Sequence, residues 1–244
     1  KQCAIELEYT AILVREGEFE QAVKQFIDAG GRGLNVTVPF KLEAWNLAGR
    51  RSGRAQLAGA VNTLIFDQDG SVDGDNTDGI GLLRDITINL GKPVAGARVL
   101  VIGAGGAVRG VLGPLLEEHP ANLHVINRTA SRAVELAAAF AGSGKCTGSG
   151  LDKPGSGYDI VINGTAASLQ GEVPDLPATI FAPGALAYDM MYGDKPTPFM
   201  NWAQANGAGQ VSDGLGMLVE QAAESFRVWH GERPETSAVI AALR

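Results

Sequence analysis

Lys41 and Asp78 are the two side chains in this sequence best placed by type to share and pass a proton. Each lies in a polar segment where a strand end meets a helix or a turn. Three such segments occur: Asn35-Val36-Thr37-Val38-Pro39-Phe40-Lys41, Gly59-Ala60-Val61-Asn62-Thr63 and Gly74-Asp75-Asn76-Thr77-Asp78-Gly79. Strand ends are where α/β proteins place their ligands. Burial lowers a lysine pKa and a carboxylate partner raises it, so an amine beside an aspartate can be tuned either way. Plainer readings stand beside this one. Asp78 occupies the place of a helix N-cap, and a lysine that opens a helix is usually solvated. Asn35, Thr37 and Asn62 serve equally well as turn formers. Spacing alone leaves these alternatives open.

A second group of residues points to a dinucleotide. The apolar run Val99-Leu100-Val101-Ile102 enters a turn at Gly103-Ala104-Gly105-Gly106-Ala107, and a helical pattern follows. Gly103 permits the tight turn, and Gly105 lets the backbone approach a pyrophosphate. Gly106 and Ala107 open a helix whose free N–H groups and positive dipole end suit an anion. The place of a third glycine holds Val108, so the match to the fingerprint is incomplete. Where NAD-binding versions carry an acid for the ribose 2′-hydroxyl, this chain has Asn127-Arg128-Thr129, with Arg132 one turn on. No carboxylate there repels a 2′-phosphate, and two guanidiniums and a hydroxyl can receive one, so NADP is favoured over NAD.

The elements needed to hold these groups can be traced in the apolar pattern. Phe19, Val23 and Phe26 mark one face of a helix over 18–29. Short strands are predicted over 34–38 and 60–66, helices over 41–47 and 78–90, and a strand-like stretch over 5–14. From Ala97 the rhythm changes to near-continuous apolar strands (99–102, 123–126, 159–162, 185–188) alternating with helices over 106–117 and 130–141. That alternation predicts a parallel sheet covered on both faces. The Gly/Ser-rich stretch 142–157 reads as a surface loop, and helices over 217–230 and 236–243 close the chain. The fold class is therefore α/β with a Rossmann-type parallel sheet, in a chain long enough for one large domain or two medium ones.

Composition narrows the partners. The 244 residues are 45% apolar and carry a formal charge of -7, which argues against a nucleic-acid surface. No apolar run approaches the ~18 residues of a membrane span, and no signal-peptide pattern opens the chain. Cys3 and Cys146 lie far apart, as expected of free thiols in the cytoplasm. His119, His124 and His230 fall on no metal-ligand spacing, so no metal site is expected. A small-molecule substrate is expected, and no obligate protein partner is evident.

The motifs NVTVPFK, AVNT, GDNTDG, GAGGAVRG, NRT, YDMMY and DGLGM occur here in one order, from about residue 8 to the C-terminus. Together they resemble the shikimate dehydrogenase family, which reduces 3-dehydroshikimate to shikimate by hydride transfer from NADPH. The resemblance implies two α/β domains with the site in the cleft between them: a substrate-binding domain over 1–84 plus 217–244 and a Rossmann NADP-binding domain over 85–216. It implies that Lys41 and Asp78 are the catalytic pair and that Asn35, Thr37 and Asn62 contact the substrate, with Tyr192 and Gln221 closing the site. It assigns Gly105, Gly106, Ala107, Asn127, Arg128, Thr129 and Arg132 to NADP, and Met190 and Gly214 to the neighbourhood of the nicotinamide. Asn163-Gly164-Thr165 departs from the family's usual Asn-Ala-Thr. The family's opening strand and its GNPxxHSxSP-like segment, whose serines hold the substrate carboxylate, have no counterpart here, so the resemblance implies an N-terminal segment missing from this sequence. Two other readings are a quinate/shikimate dehydrogenase with relaxed cofactor choice and a non-catalytic NADP-binding protein.

Overall fold

The computed structural model describes residues 2–67, 69–165, 167 and 171–244. Two sheets organise the chain. The first is built from β1 (Gly33–Asn35), β2 (Arg50–Arg51), β3 (Thr63–Phe66) and β4 (Val72–Asp75), in the order β1-β3-β4-β2. Helices α1 (Phe19–Asp28), α2 (Lys41–Leu47) and α3 (Gly53–Ala58) lie within this part of the chain. Phe19 and Val23 of α1 join Val36, Ala44, Leu64 and Phe66 in its core, as the spacing on α1 predicts. The stretch 5–14 forms no strand. It is chain without regular secondary structure, and it runs along a cavity of about 1240 Å³ beside β1.

Helix α4 (Asp78–Arg84) leads out of the first sheet and widens into a π-helical turn over Asp85–Asn89, where the sequence suggested an unbroken helix to residue 90. Asp85 turns its carboxylate inward there, accepting from Asn89 Nδ2 at 2.9 Å and from the Tyr188 hydroxyl at 2.7 Å. Burial pushes the Asp85 carboxyl above the usual carboxylate range.

The second sheet contains β5 (Arg98–Ile102), β6 (Asn122–Asn127), β7 (Cys146–Gly150), β8 (Tyr158–Asn163), β9 (Phe181–Asp189) and β10 (Gln210–Ser212). All are parallel, in the order β10-β9-β8-β5-β6-β7. This is the doubly wound Rossmann order, in which the direction of winding reverses between β5 and β8. The reason lies in β5 itself. Val99 and Val101 pack towards α5 (Gly106–Glu117) and α6 (Ala130–Ala139) on one face. Leu100 and Ile102 pack on the other face, with Phe199 and Ala203 of α7 (Pro198–Ala205). A strand buried on both sides must be apolar throughout.

Strand β7 falls inside the stretch read from sequence as a loop. Its residues Cys-Thr-Gly-Ser-Gly carry no apolar alternation, yet they pair in register with Leu123 to Asn127. A side chain at Gly148 would collide with the Ala133 backbone, so α6 itself demands the glycine that makes the strand unrecognisable.

Helix α8 (Leu215–His230) returns to the first sheet, and α9 (Ser237–Leu243) follows. Trp229 Nε1 donates to Leu64 O of β3 at 3.0 Å. Between the two halves, α4 meets α5 almost backbone to backbone. A Cβ added at Gly79 would sit 2.6 Å from both Gly110 O and Pro114 Cγ. Among the described residues, no helix is long and apolar enough to cross a membrane, and no group of His, Cys, Asp and Glu could hold a metal ion.

Candidate active site

Strand register brings the three polar segments together. Asn35 ends β1 opposite Thr63, which begins β3, and Thr63 lies opposite Asp75, which ends β4. Antiparallel pairing therefore gathers Asn35, Asn62 and the Asn76-Thr77-Asp78 turn at one end of the sheet. Backbone bonds lock the arrangement: Val61 N donates to Lys41 O, Val36 N to Asn62 O and Asn62 N to Asp75 O.

At the centre, Lys41 Nζ donates to Asp78 Oδ2 at 2.6 Å, with the two side chains 28% and 13% exposed. The other carboxylate oxygen, Oδ1, accepts from Asn62 Nδ2 at 2.8 Å. Asp78 is not the cap of α4; Thr77 occupies that place, and the Asp78 carboxylate is left to face Lys41. Among the described residues, Asp78 takes one of the three N–H donors of the ammonium, and two remain for a ligand oxygen in the open part of the site. Asn62 is almost fully buried and held from both ends: its Oδ1 accepts from Thr77 N at 2.9 Å and Thr63 Oγ1 at 2.8 Å. Gln221 of α8 reaches the same cluster, its Oε1 lying 3.4 Å from Asn62 Nδ2 and 3.3 Å from Thr77 Oγ1.

Asn35 stands at the edge of this cluster and lines the cavity beside β1, together with Thr37; Lys41 and Asp78 do not line it. Thr37 and Tyr192 are exposed, and among the described residues no side-chain hydrogen bond ties either of them to the cluster.

Sequence reasoning passed over Tyr9 and Ser225 here, and it gave no separate role to Thr63 and Thr77, which lie inside the polar segments. Tyr9 Oη donates to Asn35 Oδ1 at 2.8 Å, and Asn35 Nδ2 donates to Ser225 Oγ at 2.9 Å. The one signal for Ser225 is a hydroxyl one turn after Gln221 on a helix face that is otherwise buried.

Behind the pair, Arg54 forks onto Asp75 at 2.6 and 2.8 Å and reaches Glu224 of α8 at 2.8 Å. Burial opposes ionisation of both acids, but their guanidinium partners outweigh it. Arg54 and Ser52 hold the Asp75 carboxyl below the usual carboxylate range. Arg227 and Arg54 hold Glu224 at about 2. These ion pairs tie the turn before Asp78 to α8.

The second half of the site lies at the carboxyl ends of β5, β6, β8 and β9, where the winding reverses. Gly103 adopts a φ of +114°, with Thr165 Cγ2 3.2 Å from where its Cβ would be. Gly105, Gly106 and Ala107 are exposed, and a Cβ at either glycine would meet nothing within 4 Å. The N-terminus of α5 receives no side-chain cap. Open backbone, unfilled space and uncapped N–H groups together fit a pyrophosphate. Asn127 ends β6, its Nδ2 donating to Thr129 O at 3.0 Å. Arg128, Thr129 and Arg132 are exposed beside it, and among the described residues neither arginine forms an ion pair. Met190 and Gly214 meet directly, since any side chain at 214 would collide with the Met190 carbonyl.

The two irregular positions of the sequence prove to be one feature. Val108, in the place of the third glycine, is fully buried, and a Cβ at Gly164 would collide with its Cγ2 and come within 3.1 Å of Met190 Sδ. Glycine at 164 is what makes room for valine at 108.

Comparison with known proteins agrees with this geometry. Three family models match: the shikimate dehydrogenase substrate binding domain over residues 1–64, shikimate / quinate 5-dehydrogenase over 87–170, and the shikimate 5'-dehydrogenase C-terminal domain over 214–244. A protein of Alkalilimnicola ehrlichii named shikimate dehydrogenase (NADP(+)) is 58% identical over 226 residues, covering 93% of this chain and 83% of its own. The crystal structure of an Ael1 enzyme from Pseudomonas putida superposes with a TM-score of 0.92 at 48% identity, covering 99% of this chain and 89% of that one. Shikimate 5-dehydrogenase from Thermus thermophilus, crystallised with NADP(H) and shikimate, gives a TM-score of 0.81 at 33% identity, covering 94% and 84%. With matched models on both sheets and this identity across nearly the whole length, the chain belongs to the shikimate dehydrogenase family.

Proposed function

We propose that this protein is an NADP-dependent oxidoreductase that reduces 3-dehydroshikimate to shikimate and runs the reaction in reverse. The observation that carries the reading is the Lys41–Asp78 pair at 2.6 Å, partly exposed and backed by Asn62. Bound NADPH supplies the hydride. The chain's own residues bind, orient and move the proton. Lys41 Nζ gives a proton to the carbonyl oxygen during reduction and takes one from the hydroxyl during oxidation, with Asp78 Oδ2 holding the ammonium in place. Such proton transfer contributes about 10²- to 10⁴-fold to the rate. Asn35, Thr37 and Asn62 offer amide and hydroxyl groups to the ring hydroxyls and carboxylate of the substrate, and Tyr192 and Gln221 flank it. Gly103, Gly105, Gly106 and Ala107 cradle the pyrophosphate. Asn127, Arg128, Thr129 and Arg132 hold the adenosine 2′-phosphate, and Met190 and Gly214 border the nicotinamide. Residues 1–84 plus 217–244 form the substrate domain and 85–216 the NADP domain. Two free cysteines suit a cytoplasmic enzyme.

The test is an absorbance assay of NADPH consumption with 3-dehydroshikimate and of NADP⁺ reduction with shikimate, with quinate and NAD⁺ as parallel arms. Turnover in both directions, faster with NADP⁺ than with NAD⁺, is expected. Tight NADPH binding without turnover would refute the catalytic reading.

A further inference from the structure

One polar residue at the heart of the site belongs to none of the motifs. Ser225 is fully buried on α8, one turn beyond Gln221. Its Oγ lies 2.9 Å from Asn35 Nδ2, 2.8 Å from Thr63 Oγ1, 3.1 Å from Thr77 Oγ1 and 3.1 Å from Gln221 O. Asn62 Oδ1 can only accept, so Thr63 gives its hydrogen to Asn62 and keeps lone pairs towards Ser225. Ser225 has a single hydrogen, with acceptors for it in Thr63 Oγ1, Thr77 Oγ1 and Gln221 O, and what it turns towards Asn35 Nδ2 is an acceptor. A rotated Asn35 amide would set carbonyl oxygen against that acceptor, which costs the desolvation of both.

We propose that Ser225 is a positioning residue for the substrate. Its hydroxyl fixes the amide of Asn35 with Nδ2 towards α8 and Oδ1 towards Tyr9, so that Asn35 presents an acceptor to a ligand hydroxyl. Through Thr63 the same hydroxyl holds Asn62 with its amino group on Asp78. Ser225 acts through these two amides and touches neither substrate nor cofactor. The inference rests on the reading of Asn35 as a substrate contact and adds to it the residue that sets its orientation.

Ser225→Ala removes one oxygen from a helix and puts the best helix former in its place. Its KM for shikimate is expected to rise about tenfold, while the NADP⁺ Kd, read by fluorescence in the absence of substrate, stays within about twofold of wild type. In an Asn35→Ala background the same change should raise KM by less than about twofold, because the amide it orients is gone. Ser225→Cys, a weaker hydrogen-bond partner of similar size, should move KM the same way and replaces the alanine variant if that variant does not fold. An unchanged KM, a parallel rise in NADP⁺ Kd, or a full tenfold effect in the Asn35→Ala background would each overturn the proposal. If Asn35→Ala alone leaves KM untouched, it is the role of Asn35 that fails, and the two failures are distinguishable.

Discussion

Replacing Lys41 with methionine deletes an ammonium 2.6 Å from Asp78 Oδ2 and keeps most of the side-chain volume. The cost to the fold is small, because a partly exposed pair contributes about 1 kcal/mol or less. Asp78 also keeps its bond from Asn62 Nδ2 at 2.8 Å. The cost to the reaction is different in kind. With no acid at the carbonyl oxygen, the alkoxide must be protonated by water, and the loss of a positioned proton donor corresponds to about 10² to 10⁴ in kcat. At about 1.4 kcal/mol per tenfold, that is about 3 to 5 kcal/mol of transition-state stabilisation. The assay is steady-state NADPH consumption with 3-dehydroshikimate, paired with NADPH affinity by fluorescence and a thermal midpoint. The expected variant melts within a few degrees of wild type, binds NADPH unchanged and turns over at least about a hundredfold more slowly. A folded variant whose kcat stays within tenfold of wild type would remove Lys41 from proton transfer, and with it the central step assigned to this site.

Three further outcomes follow from the geometry. Arg128→Ala with Arg132→Ala should weaken NADP⁺ binding about 10- to 100-fold and leave NAD⁺ binding nearly unchanged in parallel titrations, since only the 2′-phosphate loses partners. Glu224→Gln should destabilise the protein at pH 7 by about 2 to 3 kcal/mol, because Arg54, Arg227 and Arg233 lose a buried counter-charge. Glu224 is held at about 2, below its unfolded value, so its contribution is complete above the ordinary glutamate pKa and fades as pH falls towards 2. Urea midpoints of the two proteins should therefore converge on acidification and differ most near neutrality. Gly164→Ala should lower stability by about 1 to 3 kcal/mol through its collision with Val108. Adding Val108→Ala should recover much of that loss, and a double-mutant cycle measures the coupling.

What the sequence revealed and what it hid divide along physical lines. Strands β5, β6, β8 and β9 were legible because burial on both faces forces continuous apolar runs. Strand β7 was not, because its identity depends on pairing with β6 and on the space α6 leaves at Gly148. Short β2 and α3 were likewise overlooked, being too brief for periodicity to register. Lys41 and Asp78 were legible as residue types, whereas their meeting was not. It is produced by the β1-β3-β4 register and by a backbone bond from Val61 to Lys41, neither of which leaves a mark on local spacing. Ser225 was invisible for the same reason, since the side chains it meets on other elements are 148 to 190 positions away in the chain.

The contact at Gly79 has a mechanical consequence. Asp78 is the residue immediately before it, and the facing helix begins at the glycine turn around Gly105. The span from the carboxylate proposed to hold the proton-passing lysine to the proposed dinucleotide cradle is thus gauged by the Gly79 backbone set against Gly110 O and the stiff ring of Pro114, with no long flexible side chain interposed. A methyl group inserted at that point would act as a shim: it would leave every functional group intact and yet hold the two halves of the reaction apart.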